Sequence, residues 1–191
     1  MTSLREKKKQ HSYQTIYQTA LSLFEEYGFD KVSVAQIVKQ SAIAKGTFFN
    51  YFPNKPDILA QWFDDIMSKA IEQPIPNDAP LEQRVLLLAK HILQAAQQQP
   101  NLWQAKNAYA GQSDSIQKVE SRIDERIHSR VEHFIEQSAL RMDTNKNSDL
   151  AELIVTLMTG TIVEANRRGH SDDAMALIEH KLSILLSLAK G

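Results

Sequence analysis

Residues 33–55 read SVAQIVKQSAIAKGTFFNYFPNK, and the fold turns on how they divide into helices. Ser33 stands where an N-cap belongs, and the spacing predicts a short helix over 34–40. The interruption at Ser41, Ala42 and Ile43 precedes a second short helix over 44–51. Pro53 stops that helix, and Pro56 suits the first turn of the next. Two short helices joined by a three- or four-residue turn form a helix-turn-helix, whose second helix can enter a DNA major groove. Val34, Ile37, Val38, Ile43 and Phe48 have the spacing to lock the pair together. That leaves Lys45, Gly46, Thr47, Phe49 and Asn50 toward solvent or DNA. Lys45 can bond to guanine edges or phosphate, and Thr47 can meet a base, a thymine methyl or a phosphate. Gly46 would let the start of the helix come close to a DNA backbone.

This stretch resembles the signature of the TetR family. Residues 44–52, AKGTFFNYF, followed by Asn54 and Lys55, match the family pattern in order and spacing. Tyr27-Gly28-Phe29, which would end a preceding helix, fits as well. The resemblance implies that Ser33 caps its helix and touches a phosphate. It further implies that Lys45, Gly46, Thr47 and Phe49 face the groove, and that Tyr51 and Lys55 hold the DNA backbone. Phosphate contacts would then supply most of the affinity and base contacts the register. Four positions depart from the pattern. Ala42 stands where the family usually has Gly, and a left-handed turn there strains Ala by about 1 kcal/mol. Ala44 replaces a capping Ser or Thr, a loss on the order of 1 kcal/mol. Phe49 replaces a common Tyr and lacks its hydroxyl, whereas Tyr51 replaces a common His and keeps a donor. Phe48 and Phe52 read as core.

Outward from the motif, helical periodicity continues in both directions, and no segment shows sustained strand alternation. Ile16, Ala20, Leu23, Phe24 and Tyr27 form one apolar stripe, with Gly28 as its C-terminal cap. Ile58, Leu59, Trp62, Phe63, Ile66 and Met67 carry a fourth helix to about residue 72. Pro74, Pro76 and Pro80 make the clearest break, and Asp78 is placed to cap the helix beyond. Then come a helix with Leu81, Val85, Leu88 and Ile92, a shorter one over 101–110, and a long one marked by Ile116, Ile123, Ile127, Val131 and Phe134. Leu150, Ile154, Met158 and Ile162 line the next, closed by Gly169. Ser171 caps the last. The expectation is an all-α fold of about nine helices. It has an N-terminal three-helix, homeodomain-like helix-turn-helix domain over 1–55 and a C-terminal helical ligand-binding and dimerisation domain over 56–191.

Charge divides the same way. Residues 1–55 hold eight basic and four acidic side chains, a net +4, and the remainder holds 14 and 19, a net −5. A basic head on an acidic body points to a polyanion meeting the head alone. The run Arg5-Glu6-Lys7-Lys8-Lys9 reads either as an arm reaching an adjacent minor groove or as a flexible tail. The acidic body, with no strongly basic pocket in view, weighs against a highly anionic ligand.

The chain has 191 residues, 42% of them hydrophobic, enough for a core without staples. It has no cysteine, which excludes disulfides and cysteine-ligated zinc. No apolar run reaches the roughly 20 residues of a membrane span, and a soluble cytoplasmic protein without membrane contact is expected. The histidines at 91, 128, 133, 170 and 180 are scattered, and no catalytic set or metal or cofactor site emerges. A small-molecule effector pocket and a four-helix homodimer interface follow from the family resemblance. Trp103, Asn107, Tyr109, Phe134 and Met158 offer aromatic surface with polar handles for such a pocket. Leu153, Leu157, Ile162, Leu182, Leu185 and Leu186 are more apolar residues than two terminal helices of a small monomer need. The expected function is a ligand-responsive repressor that binds a palindromic double-stranded DNA operator as a homodimer. The alternatives are a helical protein-interaction adaptor and an activator of the same fold.

Overall fold

A computed structural model describes residues 4–140, 143–168 and 173–189. Among these residues the chain forms nine α-helices and one short 3-10 turn, with no strand. The helices are α1 (Leu4–Tyr27), α2 (Val34–Ser41), α3 (Lys45–Tyr51), α4 (Pro56–Glu72) and α5 (Leu81–Gln98). After them come α6 (Pro100–Tyr109), the 3-10 turn Ala110–Gln112, α7 (Asp114–Glu136), α8 (Thr144–Arg168) and α9 (Ala174–Ala189). Gly169 and Ser171, expected to close α8 and cap α9, lie outside the described residues. The all-α expectation holds, and so does the three-helix head.

The helices divide into two compact units. One comprises the described residues up to Asp65 with Ala96–Glu120, the other Ile66–Ala95 with the described residues from Ser121 on. The first unit is built on α1, whose apolar stripe of Ile16, Ala20, Leu23 and Phe24 is buried. Against it are Ile37 of α2, Phe48 of α3, and Ile58 and Leu59 of α4, all fully buried. Each such side chain contributes about 1.5–3 kcal/mol on burial. α6 packs in the same unit, with Asn101 Nδ2 donating to the Glu25 carbonyl at 3.2 Å. The run 5–9 is neither arm nor loose tail. It belongs to α1, which begins at Leu4 and carries the exposed Arg5, Lys7, Lys8 and Lys9 on its first turns. Neither glycine nor proline interrupts residues 4–27, so the helix has no local reason to start later.

In the second unit, Val85, Leu88 and Ala89 of α5 and Ile127, Val131 and Ile135 of α7 are buried, as are Ile154 and Met158 of α8 and Ile178 and Leu182 of α9. α8 and α9 pack directly on one another. α5 starts behind Pro80, whose carbonyl accepts the Arg84 N–H at 3.0 Å. Asp78 therefore lies short of the capping position. No described helix is long and apolar enough to cross a membrane.

Candidate nucleic-acid interface

The helix-turn-helix is positioned by local chemistry at each corner. α1 ends at Tyr27, and Gly28 takes φ 83°, a left-handed turn that a Cβ would strain. Its N–H donates to the Phe24 carbonyl at 2.9 Å. Phe29 then folds back edge-on against Phe24, and Val32 is buried. Ser33 caps α2 in extended geometry, its hydroxyl accepting the Gln36 N–H at 3.2 Å, while its own N–H donates to Gln36 Oε1 at 2.7 Å. This reciprocal box satisfies donors that the first helical turn would otherwise leave unpaired. Ala42 ends α2 at φ 53°, ψ 31°, the left-handed geometry expected to strain an alanine. Ala44 begins α3 with no side-chain cap bond, as expected of an alanine there.

Ile37 and Phe48 are fully buried between the helices, with Val34, Val38 and Ile43 half-buried beside them. α3 is thereby fixed with one face outward. Lys45, Gly46, Asn50 and Phe49 (40% exposed) are on that face, and Thr47 is half-buried at its edge. A Cβ built on Gly46 would meet nothing within 4 Å. The fold itself therefore has no use for the missing side chain, and the clearance it leaves lies on the outside.

Tyr51 and Lys55 are differently engaged from the rest of this set. The Tyr51 ring stands edge-on to Tyr13 at 5.8 Å, and its hydroxyl donates to the Lys9 carbonyl at 2.9 Å. Lys55 turns inward, its Nζ donating to the carbonyls of Phe29 (2.8 Å) and Val32 (3.0 Å) and lying 4.0 Å from the centre of the Phe29 ring. Burial lowers its pKa, partly offset by Asp30. Both side chains brace the head in this structure. Sequence reading missed the aromatic ladder of Tyr13, Tyr17 and Phe52, stacked at 5.2–6.3 Å. Its signal was the four-residue spacing of Tyr13 and Tyr17 on one helix face. Tyr17 also donates to Asp65 at 2.9 Å, and burial, then that bond, push its pKa well up.

The five residues expected to line an effector pocket are dispersed over both units. In the first, Trp103 packs edge-on against Trp62 and Phe63, Asn107 is exposed, and Tyr109 bonds to Asp30 and packs on Phe29. In the second, Phe134 and Met158 are buried. An open cleft of about 410 Å³ in the second unit is lined by Asp124, Glu125, His128, Ser129, Glu152, Val155, Thr156 and Thr159, none of them among the five. Of the expected dimer residues, Leu153 is 56% exposed and Leu157 and Leu185 are half-buried, whereas Ile162, Leu182 and Leu186 are buried within the protomer. The apolar residues that α8 and α9 present outward are Leu153, Val163 (66%), Leu177, Ile184 and Leu188 (74%).

Residues 16–61 match the tetR family of bacterial regulatory proteins. Among curated proteins, the chain is similar to the fatty acid metabolism regulator protein of Bacillus subtilis, 34% identical over 90 residues that cover 45% of this chain and 46% of that one. It is also similar to the HTH-type transcriptional repressor KstR of Rhodococcus jostii, 28% identical over 137 residues, 65% and 63% of the two chains. The chain spans less than half the length of the first curated relatives it matches. Among solved structures, a TetR-family repressor of Thermus thermophilus, FadR, in complex with lauroyl-CoA has the same fold, with a TM-score of 0.66, 19% identity and coverage of 91% and 93%.

Proposed function

The chain belongs to the TetR family of bacterial regulatory proteins, and from that premise we propose that it is a dimeric, ligand-responsive repressor of transcription. Residues 1–55 would bind a palindromic operator, and residues 56–191 would carry the effector site and the dimer contact. The observation that carries this reading is the outward face of α3. Lys45, Gly46, Phe49 and Asn50 stand exposed on a helix whose opposite face is anchored by the fully buried Phe48. Such a helix, about 10 Å across, fits a major groove about 12 Å wide. The clearance at Gly46 lets it approach the backbone closely. The exposed lysines on the first turns of α1 supply further positive charge for phosphates.

Ser33, Thr47, Tyr51 and Lys55 complete the proposed DNA-contacting set. Tyr51 keeps an acceptor and Lys55 a third ammonium hydrogen beyond their internal bonds. Homodimerisation through α8 and α9 is supported by the outward Leu153, Val163, Leu177, Ile184 and Leu188, an apolar set that isolated monomers rarely leave bare. A fold neighbour holding lauroyl-CoA supports a small-molecule effector. Phe134 and Met158, buried in the second unit, are the proposed contacts there, and no catalytic step is assigned to them. The proposed site of action is the cytoplasm, where the bacterial chromosome lies.

The decisive experiment selects binding fragments from sheared source-genome DNA with purified protein, beside a Lys45→Ala/Thr47→Ala control. Recovery of a few palindromic sites, lost in the control and weakened by salt, supports the reading. A folded dimer that selects nothing at low salt overturns it in favour of a protein-interaction adaptor. A reporter behind the recovered site distinguishes repression from activation, because the sign depends on operator position.

A further inference from the structure

The second unit contains a buried arginine that no acid neutralises among the described residues. Arg84, on the first turn of α5, is 2% exposed. One end of its guanidinium donates to Gln137 Oε1 at 2.8 Å, and its Nε has no hydrogen-bond partner. Its plane lies over the Phe134 ring, 4.2 Å from the centre, and Arg130 of α7 approaches the same ring at 5.6 Å. Among the described residues Arg130 donates to the backbone carbonyls of Ile71 and Gln73. The carboxylate whose field reaches Arg130 is Glu72, and Glu72 is paired with Arg126 at 2.7 Å. His91, two turns along α5 from Arg84, also feels the charge of Arg130, and its buried Nδ1 is likewise without a partner. Among the described residues no carboxylate forms an ion pair with either arginine.

Two cations around one ring, with two buried nitrogens unsatisfied, are an unfavourable arrangement on their own. A buried charge is tolerated when it is paired, and an orphaned buried donor forfeits its hydration without return. An arginine fork is shaped to hold a planar or tetrahedral oxyanion through parallel bonds. We propose that Arg84 and Arg130, brought together at the Phe134 ring, form the receptor for the anionic head, a carboxylate or phosphate, of the small molecule to which the second unit responds. The head bonds to Arg84 Nε and neutralises the pair of guanidiniums, and the Phe134 ring that both of them approach favours an apolar tail. This assignment rests on the regulator reading for its role as an effector site. Anion binding itself does not.

The test is calorimetric titration and thermal unfolding of the full chain with sodium octanoate and with octyl phosphate. Octanol and octylammonium chloride at the same ionic strength serve as controls. One or both anions should bind and raise the melting temperature, the better of the two identifying the head, and the controls should do neither. Arg84→Met should weaken anion binding by about tenfold or more. It should nevertheless melt no lower than the parent chain when anion is absent, because it removes an uncompensated charge. Arg130→Gln should weaken binding in the same direction. Unchanged binding in both variants, equal binding of octanol, or no response to either anion overturns the proposal. Titrating the same samples with the selected genomic fragments separates the two readings. Anion binding without DNA binding ends the regulator reading and keeps the site, and DNA binding without anion binding does the reverse.

Discussion

At the residue scale, three small residues around the helix-turn-helix set stability and recognition against one another. Ala42 sits in a left-handed conformation that glycine adopts freely, so Ala42→Gly should raise the free energy of unfolding by up to about 1 kcal/mol. Ala44→Ser restores a missing cap and should add on the order of 1 kcal/mol. Urea titrations of both variants check this, and a loss of stability in either would contradict the geometry described. Gly46 is the opposite case. Its replacement by Ala meets open space and removes a helix-disfavouring residue, so the fold should gain up to about 1 kcal/mol. The same Cβ would occupy the clearance on the DNA side, so DNA affinity should fall. His91 gives a pH dependence. Burial, then Arg130 and Lys90, lower its pKa from the usual 6.5, so as pH falls the unfolded chain takes up this proton first. The contribution of a neutral His91 is therefore fully present above about pH 6.5 and is lost as pH drops through the window below it. Melting curves from about pH 7.5 to 5.5 should show this loss, and His91→Gln should flatten it.

The elements differ in how far sequence alone defined them. The short helices α2 and α3 were legible because their signals are local: Ser33 and Gln36 are three positions apart, and Pro53 and Pro56 are covalent punctuation. The start of α1 was not. A basic run has the composition of a tail, and only its continuation into the buried stripe at Ile16 and Ala20 makes it helix. α8 and α9 present the converse difficulty. Both carry apolar residues around much of their circumference, so periodicity gives two candidate faces and no means of choosing. Packing turns Ile162, Leu182 and Leu186 inward and leaves Leu153, Val163 and Leu188 outside. Accordingly, Val163→Glu with Leu188→Glu should convert a dimer to a folded monomer in sedimentation velocity. A pair that stays dimeric would place the contact elsewhere.

For the whole molecule, the prediction concerns electrostatics. If the head neutralises operator phosphates, log affinity falls linearly with log salt, at about 0.9 per phosphate neutralised. Lys45→Ala should lower that slope by about one unit for each subunit bound if Lys45 meets a phosphate. If it meets a base edge instead, specificity at one base pair should relax, with a loss of about 1–3 kcal/mol per half-site. Fluorescence anisotropy across a salt series separates these outcomes. Single substitutions in the second unit that spare the fold should leave the slope unchanged, because the net positive charge lies in residues 1–55.

Local patterns along the chain were enough to define the helical class, the helix-turn-helix and the outward face of α3. Each of these depends on residues within one or two turns of one another, where periodicity, caps and prolines act directly. The tertiary structure decided where long side chains end. Lys55 reaches carbonyls 26 and 23 positions earlier, and Tyr51 reaches one 42 positions earlier. Arg84 meets Gln137, 53 positions away, at a ring it shares with Arg130. No local pattern encodes such meetings. They depend on how whole helices pack, which is settled by the summed burial of apolar faces, and the polar and charged groups are carried to their partners by that packing.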